Sequence, residues 1–186
     1  MINVEESKLD YFERFKQKHK AKRYQKDCDS FELRDKIRDD LLHKQSNQCA
    51  YCERKIDKID SHIEHIRQRD RFPKLECDYS NLVLSCNNEN SCGKYKDSKK
   101  NPTRHWQDRF IHPVLNNPKE YFRFNEDGQI LSTDKNAKET IKYLNLNSQK
   151  LIRVRKSLIL QMVYMQDMSN LSDYFDEFEN LIMEFS

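Results

Sequence analysis

Cys49-Ala50-Tyr51-Cys52, Ser61-His62-Ile63-Glu64-His65-Ile66, Asn81-Leu82-Val83-Leu84-Ser85-Cys86 and Cys92-Gly93-Lys94-Tyr95-Lys96-Asp97 follow one another in a single stretch of the chain. The first segment is a C-x2-C knuckle. Cys86 and Cys92 make a second, wider pair. Zinc takes four ligands tetrahedrally, and two short-spaced thiolate pairs from separate segments supply such a set. Cys49, Cys52, Cys86 and Cys92 are therefore expected to hold a structural Zn2+. A four-thiolate shell leaves no open position, so this metal would brace the fold and do no chemistry. Cys28 and Cys77 are left over and read as buried or free thiols.

Between the cysteine pairs lie the residues suited to catalysis. Glu64 can hold a divalent cation, and the imidazole of His65 can take a proton from water near neutral pH. On a regular strand His62 and Glu64 share one face while Ile63 and His65 share the other. For Glu64 and His65 to serve one site, the strand must end, twist or bulge there. A Glu-His dipeptide alone is commonplace on a solvated strand edge.

The order of segments changes that reading, because it resembles the HNH nucleases. Their pattern runs from a C-x2-C, through a strand bearing acid-His and an Asn-Leu-x-x-Leu-Cys segment, to a helix with another Cys and a metal ligand. It is similar above all to the PtuB-like HNH subunits of Septu-type anti-phage systems, also found beside some retrons. Their Cys-Ala-Tyr-Cys-Glu and Ile-Glu-His runs recur here, with a tail of Phe110-Ile111-His112-Pro113, Tyr121-Phe122-Arg123-Phe124 and Gly128-Gln129-Ile130. The likeness covers roughly residues 45 to 145. It implies an α+β fold: a ββα-metal HNH core with a four-cysteine zinc site, flanked by N-terminal and C-terminal helices and a β-hairpin. It implies His65 as general base, Glu64 as ligand to a catalytic Mg2+ or Mn2+, and Asn81 as the residue holding the His65 loop. The helix ligand is where the pattern departs. Asp97, Lys94 and Asn87 are the alternatives, and Asp97 is chosen because a hard cation wants oxygen. Lys94, Lys96, Lys99 and Lys100 would then touch backbone phosphates, a contact blind to sequence; the bland alternative is a solvated helix face. The likeness also implies an ABC-type ATPase partner and a DNA substrate. RNA is the alternative, since nothing in such a site reads the 2'-OH. A zinc-knuckle module that binds and does not cut is the rival from another class.

Working outward, residues 1–45 are expected to form an N-terminal helical extension, 46–115 the nuclease core with zinc, and 116–186 a hairpin and C-terminal helices. Residues 4–25 read as one charged helix bearing Tyr11, Phe12 and Phe15, or as a helix that orders only on a partner. Residues 30–45 read as a second, capped by Ser30. Short strands are expected at 62–67 and 80–85, a helix from near Ser91, and a hairpin around Asn125-Glu126-Asp127-Gly128. Two apolar stripes at helical spacing follow: Leu151, Val154, Leu158, Met162 and Met165, then Leu171, Tyr174, Phe175, Phe178, Ile182 and Phe185. The second reads as core; a docking face for a partner would be either this stripe, through Tyr174, Phe175 and Phe178, or the N-terminal helix with Tyr11, Phe12 and Phe15. His62, His105 and His112 read as ordinary surface or packed histidines.

Composition sets the outer limits. Among 186 residues, 34 Lys and Arg against 31 Asp and Glu leave a net charge of +3, so charge alone permits a nucleic-acid partner without demanding one. A mean hydropathy of -1.05 is low for a folded domain, while ten Phe and nine Tyr argue against disorder. No segment reads as a signal peptide or membrane span, and the expected location is the cytoplasm, where paired cysteines bind metal more often than they form disulfides.

Overall fold

The computed structural model describes residues 1–4, 9–28, 30–104, 110–165 and 175–185. Its centre is an antiparallel pair, β1 (Ser61–His65) and β2 (Leu82–Cys86), with Ser61 opposite Cys86 and His65 opposite Leu82. Every residue of β2 is buried, as an apolar run covered on both faces should be. β1 stops at His65 because the backbone beyond it is taken by Asn81. The Asn81 side-chain oxygen accepts from Arg67 N (2.7 Å), and its amide donates to Arg67 O (3.2 Å) and Leu75 O (3.0 Å). A 3-10 turn over Tyr79–Asn81, capped by Asp78, delays the start of β2 to Leu82. After β2, α3 (Cys92–Lys96) packs back onto that strand.

The N-terminal segment differs from the single helix expected. α1 spans Asp10–His19 and ends at Lys20, whose φ of 50° is left-handed. The chain then makes a π-helical turn over Tyr24–Cys28 before α2 (Phe31–Lys44). Ser30 caps α2, accepting from Leu33 N at 3.3 Å, and Leu33, Ile37 and Leu41 are buried at helical spacing. The Gln45 amide then mimics a strand partner for β2: it accepts from Leu84 N (2.7 Å) and donates to Leu84 O (2.9 Å). Phe12 is fully buried beside the Tyr79 ring, and Tyr11 and Phe15 pack against the same core. Phe12 thus belongs to the core and cannot serve a docking face, while Tyr11 and Phe15 stay half-buried beside it.

The expected hairpin is present in short form: β3 (Arg123–Phe124) pairs with β4 (Ile130–Leu131). Gly128 turns at φ 78°, and a Cβ there would stand 2.5 Å from Ile152 O, so only glycine fits. Among the described residues, α4 (Lys135–Tyr143), α5 (Gln149–Tyr164) and α6 (Glu179–Phe185) follow. Arg155 of α5 is fully buried and donates to Gly128 O (2.7 Å) and Leu146 O (2.7 Å), tying the hairpin to the helix. Leu158 and Met162 of the first stripe bury against Phe178 and Ile182 of the second, so that part of the second stripe is core. His105, Leu171 and Tyr174 lie outside the described residues. Among the described residues no helix is long and apolar enough to cross a membrane.

His112 is a packed histidine. Its Nδ1 accepts from Val114 N (3.2 Å) and Leu115 N (3.3 Å), and burial, with Arg67 nearby, lowers its pKa to about 4. Unfolded, the ring would titrate near 6.5. Between these values the unfolded chain binds a proton that the folded chain does not. Stability is therefore full above about pH 6.5 and is lost as pH falls toward 4, by up to about 3 kcal/mol from this residue. Urea midpoints at pH 7 and pH 4.5 check this. His112→Asn, which keeps an acceptor near Nδ1 but does not titrate, is expected to flatten the dependence.

Candidate active site and metal centre

The knuckle is built by backbone. Cys49 N donates to Arg54 O (2.9 Å) and Glu53 N to Cys49 O (3.0 Å), with Glu53 in the left-handed region at φ 66°. Cys86 closes β2 and Cys92 opens α3, itself left-handed at φ 61°. The four buried sulfurs all lie within 4.8 Å of one another, and Cys52 and Cys86 are 3.9 Å apart. Tetrahedral thiolates about 2.3 Å from one metal would stand about 3.8 Å apart. Burial opposes ionisation of Cys49, but hydrogen bonds from Cys52, Cys86 and Cys92 outweigh it and lower its pKa. Geometry and donor chemistry thus fit a metal ion.

The knuckle also anchors distant elements. Glu53 O accepts from Phe178 N (2.8 Å), and the Glu53 carboxylate accepts from Asn180 N (2.9 Å) at the start of α6. Cys92 N donates to Leu144 O (2.8 Å) at the end of α4.

Beside this cluster lies a buried charged network. Glu64 Oε1 is 2.9 Å from Lys96 Nζ, an ion pair with poor hydrogen-bond alignment, while Oε2 is 3.3 Å from His62 Nε2. His62 Nδ1 in turn meets Asn87 Oδ1 at 3.1 Å. Lys96 is fully buried and also donates to His65 O (3.1 Å) and Asp97 Oδ1 (2.7 Å). Burial penalises the charge on Glu64, but Lys96 and His62 outweigh it and hold the carboxyl at a pKa of about 2. Burial likewise opposes charge on Lys96, and Glu64 and Asp97 overcome it, keeping the ammonium charged. Asp97 is half exposed and shares its oxygen with Gln68 Nε2 at 2.6 Å.

Gly93 completes the network by being small. A Cβ at Gly93 would lie 2.6 Å from Glu64 Oε2 and 3.0 Å from His62 Nε2. The Glu64 carboxylate cannot swing aside freely because Lys96 holds its other oxygen. A hard divalent cation binds at about 2.1 Å in near-octahedral geometry, so adjacent ligands stand about 3.0 Å apart. The 3.3 Å between Glu64 Oε2 and His62 Nε2, a hydrogen bond that packs directly on Gly93, is close to that span. Asp97 does not join them: the Lys96 ammonium lies between the two carboxylates. Among the described residues the cysteines are the one cluster of three or more His, Cys, Asp or Glu donors.

His65 faces away from this network. Its Nε2 lies 3.0 Å from Glu76 O, and a carbonyl only accepts, so Nε2 carries the proton and Nδ1 is the free base. Burial lowers its pKa, which keeps the ring neutral. The Tyr24 ring packs against it edge-to-face, with ring centroids 4.7 Å apart. The Glu76 carboxylate accepts from Tyr24 N (3.0 Å) and Arg23 Nε (3.2 Å), fastening the Tyr24 turn over His65. His65 and Glu64 are nonetheless linked, since Lys96 holds the carbonyl of one and the carboxylate of the other.

The structure therefore gathers Glu64, His62, Lys96 and Asp97, and leaves the His65 ring on the opposite face, as strand alternation requires. Asn81 anchors the loop after His65. Lys96 cannot be a surface phosphate contact as expected, because it is fully buried with its protons directed at Glu64, His65 O and Asp97. Lys94 pairs with Glu89 at 2.8 Å, and Lys99 and Lys100 are exposed. Sequence reasoning gave no role to Gly93 and treated His62 as ordinary. The two-residue spacing of His62 and Glu64, and the three-residue spacing of Gly93 and Lys96 on one helical face, were the available signals.

Comparison with known proteins gives this arrangement relatives. No family model matches. Over 142 residues the chain is 34% identical to an HNH endonuclease candidate of retron Vc95 from Vibrio cholerae serotype O1 biovar El Tor, covering 69% of this chain and 65% of that protein. Over 110 residues it is 31% identical to Septu protein PtuB of Bacillus thuringiensis, covering 58% of this chain and 39% of that protein. The chain is a homologue of both. It spans less than two thirds of the length of either. As a homologue of PtuB and the retron protein, it bears out the likeness read from its cysteine and Glu-His segments.

Proposed function

We propose that the chain is a divalent-cation-dependent HNH endonuclease that hydrolyses phosphodiester bonds, DNA foremost, within an anti-phage defence assembly. The observation that carries the reading is the cradle of Glu64 Oε2 and His62 Nε2 over Gly93, on a β1–β2–α3 frame whose His65 ring is neutral. In this reading Glu64 and His62 hold a Mg2+ or Mn2+ ion, and Asp97, paired with Lys96, stands apart from it. The cation supplies positive charge to the scissile phosphate and the leaving oxygen. His65 takes the proton of the attacking water at Nδ1. Lys96 keeps Glu64 ionised and fixes the carbonyl of His65. Asn81 holds the loop after His65, and Lys94, Lys99 and Lys100 lie where they can meet backbone phosphates. The four cysteines hold Zn2+ and brace residues 46–115 as the nuclease core. Glu64 and His65 are both buried, which supports a working state opened by substrate or by a partner. The PtuB homology supports a multi-subunit setting, with an ABC-type ATPase as the proposed partner.

The test uses the zinc-loaded chain, alone and with its neighbouring gene product, on matched DNA and RNA duplexes and single strands. Cleavage is expected to need added Mg2+ or Mn2+. Gly93→Ala is expected to lower it about 10- to 100-fold while zinc content stays unchanged, because the new methyl displaces the Glu64 carboxylate. No cleavage of any substrate with any metal, alone or in complex, would leave the binding-module reading in its place.

A further inference from the structure

The loop that presents Glu76 O to His65 continues into Cys77, and Cys77 meets Cys28. Their sulfurs are 3.1 Å apart and both residues are buried. A disulfide bond is about 2.05 Å long, so closing one asks for about 1 Å of movement. Neither cysteine belongs to the four-thiol cluster. Cys77 also lines a surface cavity of about 600 Å3. Lys16, Lys22, Arg23 and Lys74 stand in its wall, with Glu13 and Asp78 among them. Lys16 pairs with Glu13 and Arg23 with Glu76, and Lys22 and Lys74 against Asp78 leave the mouth mildly positive, which favours a small anionic reagent. We infer that Cys28 and Cys77 form a thiol–disulfide exchange site, oxidised by an anionic low-molecular-weight disulfide, whose closure pins the Tyr24 turn over His65.

The chemistry balances without another reactant. The Cys77 thiolate attacks one sulfur of the small disulfide, and the departing sulfur leaves as a thiolate that takes up the proton Cys77 gave up. Cys28 then attacks the Cys77 sulfur of the mixed disulfide, and the second small thiol leaves with the Cys28 proton. Two protein thiols are oxidised and one small disulfide is reduced to two thiols. Cys77 is the entry sulfur because it borders the cavity; Cys28, fully enclosed, resolves. Burial raises the pKa of both thiols, so little thiolate is present at neutral pH and exchange is slow.

The position gives the bond its consequence. Cys28 ends the turn that begins at Tyr24; Asp27 closes that turn on Lys22 N and Arg23 N, and the Glu76 carboxylate ties it to the loop over His65. The cross-link adds a covalent tie between the cover and the loop bearing Glu76. Its effect on cleavage rests on the reading of His65 given above, whereas the cross-link itself does not.

The experiment incubates the zinc-loaded full chain with oxidised glutathione. Non-reducing peptide mapping is expected to show a Cys28–Cys77 link, reversed by dithiothreitol, with zinc content unchanged. Amide exchange across 24–28 is expected to slow and the Tm to rise by about 5–10 °C. Cys28→Ala and Cys77→Ser are each expected to abolish these changes, and any nuclease activity is expected to fall on oxidation in the parent chain alone. Stable glutathionylation of Cys77 without a link, oxidation confined to Cys49, Cys52, Cys86 and Cys92, or a link that leaves exchange at 24–28 unchanged would overturn the inference. If the chain proves to have no nuclease activity, mapping and exchange still decide it.

Discussion

Cys52→Ser is expected to lose bound zinc and the cooperative fold together. The cysteine cluster joins three chain segments directly: the knuckle, the end of β2 and the start of α3. Through Glu53 it also seats α6, and through Cys92 the end of α4. Structural zinc contributes apparent folding free energy of about 10–16 kcal/mol in small domains. Net stability of a domain is about 5–15 kcal/mol. Loss of tight metal binding is therefore comparable with the whole stability of a chain this polar. Elemental analysis of the parent protein is expected to give about one Zn2+ per chain. The variant is expected to aggregate or to show no thermal transition, and chelation that strips zinc from the parent should do the same. A parent protein that is well folded with no metal would sink the prediction.

The cysteine framework was legible because ligand spacing is a local property: a C-x2-C knuckle looks the same in any fold. The Ser30 cap and the buried positions of α2 were legible for a similar reason, since caps and helical periodicity lie within one element. Lys96 was not. In the run Lys94, Lys96, Lys99 and Lys100 it reads as one of several solvated cations, and only tertiary packing sets it apart. α3 turns Gly93 and Lys96 toward Glu64, and the carboxylate there offsets the desolvation of a fully buried ammonium. His62 was hidden differently. Alternation placed it with Glu64, but only the absence of a side chain at Gly93 makes room where the two converge. The end of α1 was missed because charged residues run on past it without a Gly or Pro, and the left-handed turn falls on Lys20, a residue with no turn signature. Arg155 posed the same difficulty: its two shortest hydrogen bonds run to backbone carbonyls, which leave no trace in the sequence.

His65→Ala is expected to lower cleavage about 100- to 10,000-fold, the usual cost of losing a positioned base. The geometry specifies which nitrogen acts. Nε2 gives its proton to Glu76 O, so Nδ1 alone is free to accept one. A base must be neutral before it acts, and burial lowers the pKa of His65 below the ordinary 6.5. Activity is therefore expected to hold from neutral pH down past 6.5 and to fall only at lower pH, as the ring takes up its proton. The alanine variant also leaves Glu76 O without its donor and a gap beside Tyr24, so lower stability accompanies it. His65→Gln separates the two effects. Its amide can still donate toward Glu76 O, so its melting temperature is expected to lie nearer the parent, while its activity stays as low as that of the alanine variant. Zinc content is expected to be unchanged in both. If either variant cleaves at the parent rate, the base lies elsewhere. His62 is then the first residue to replace, since its Nε2 already meets Glu64 on the face that His65 does not share.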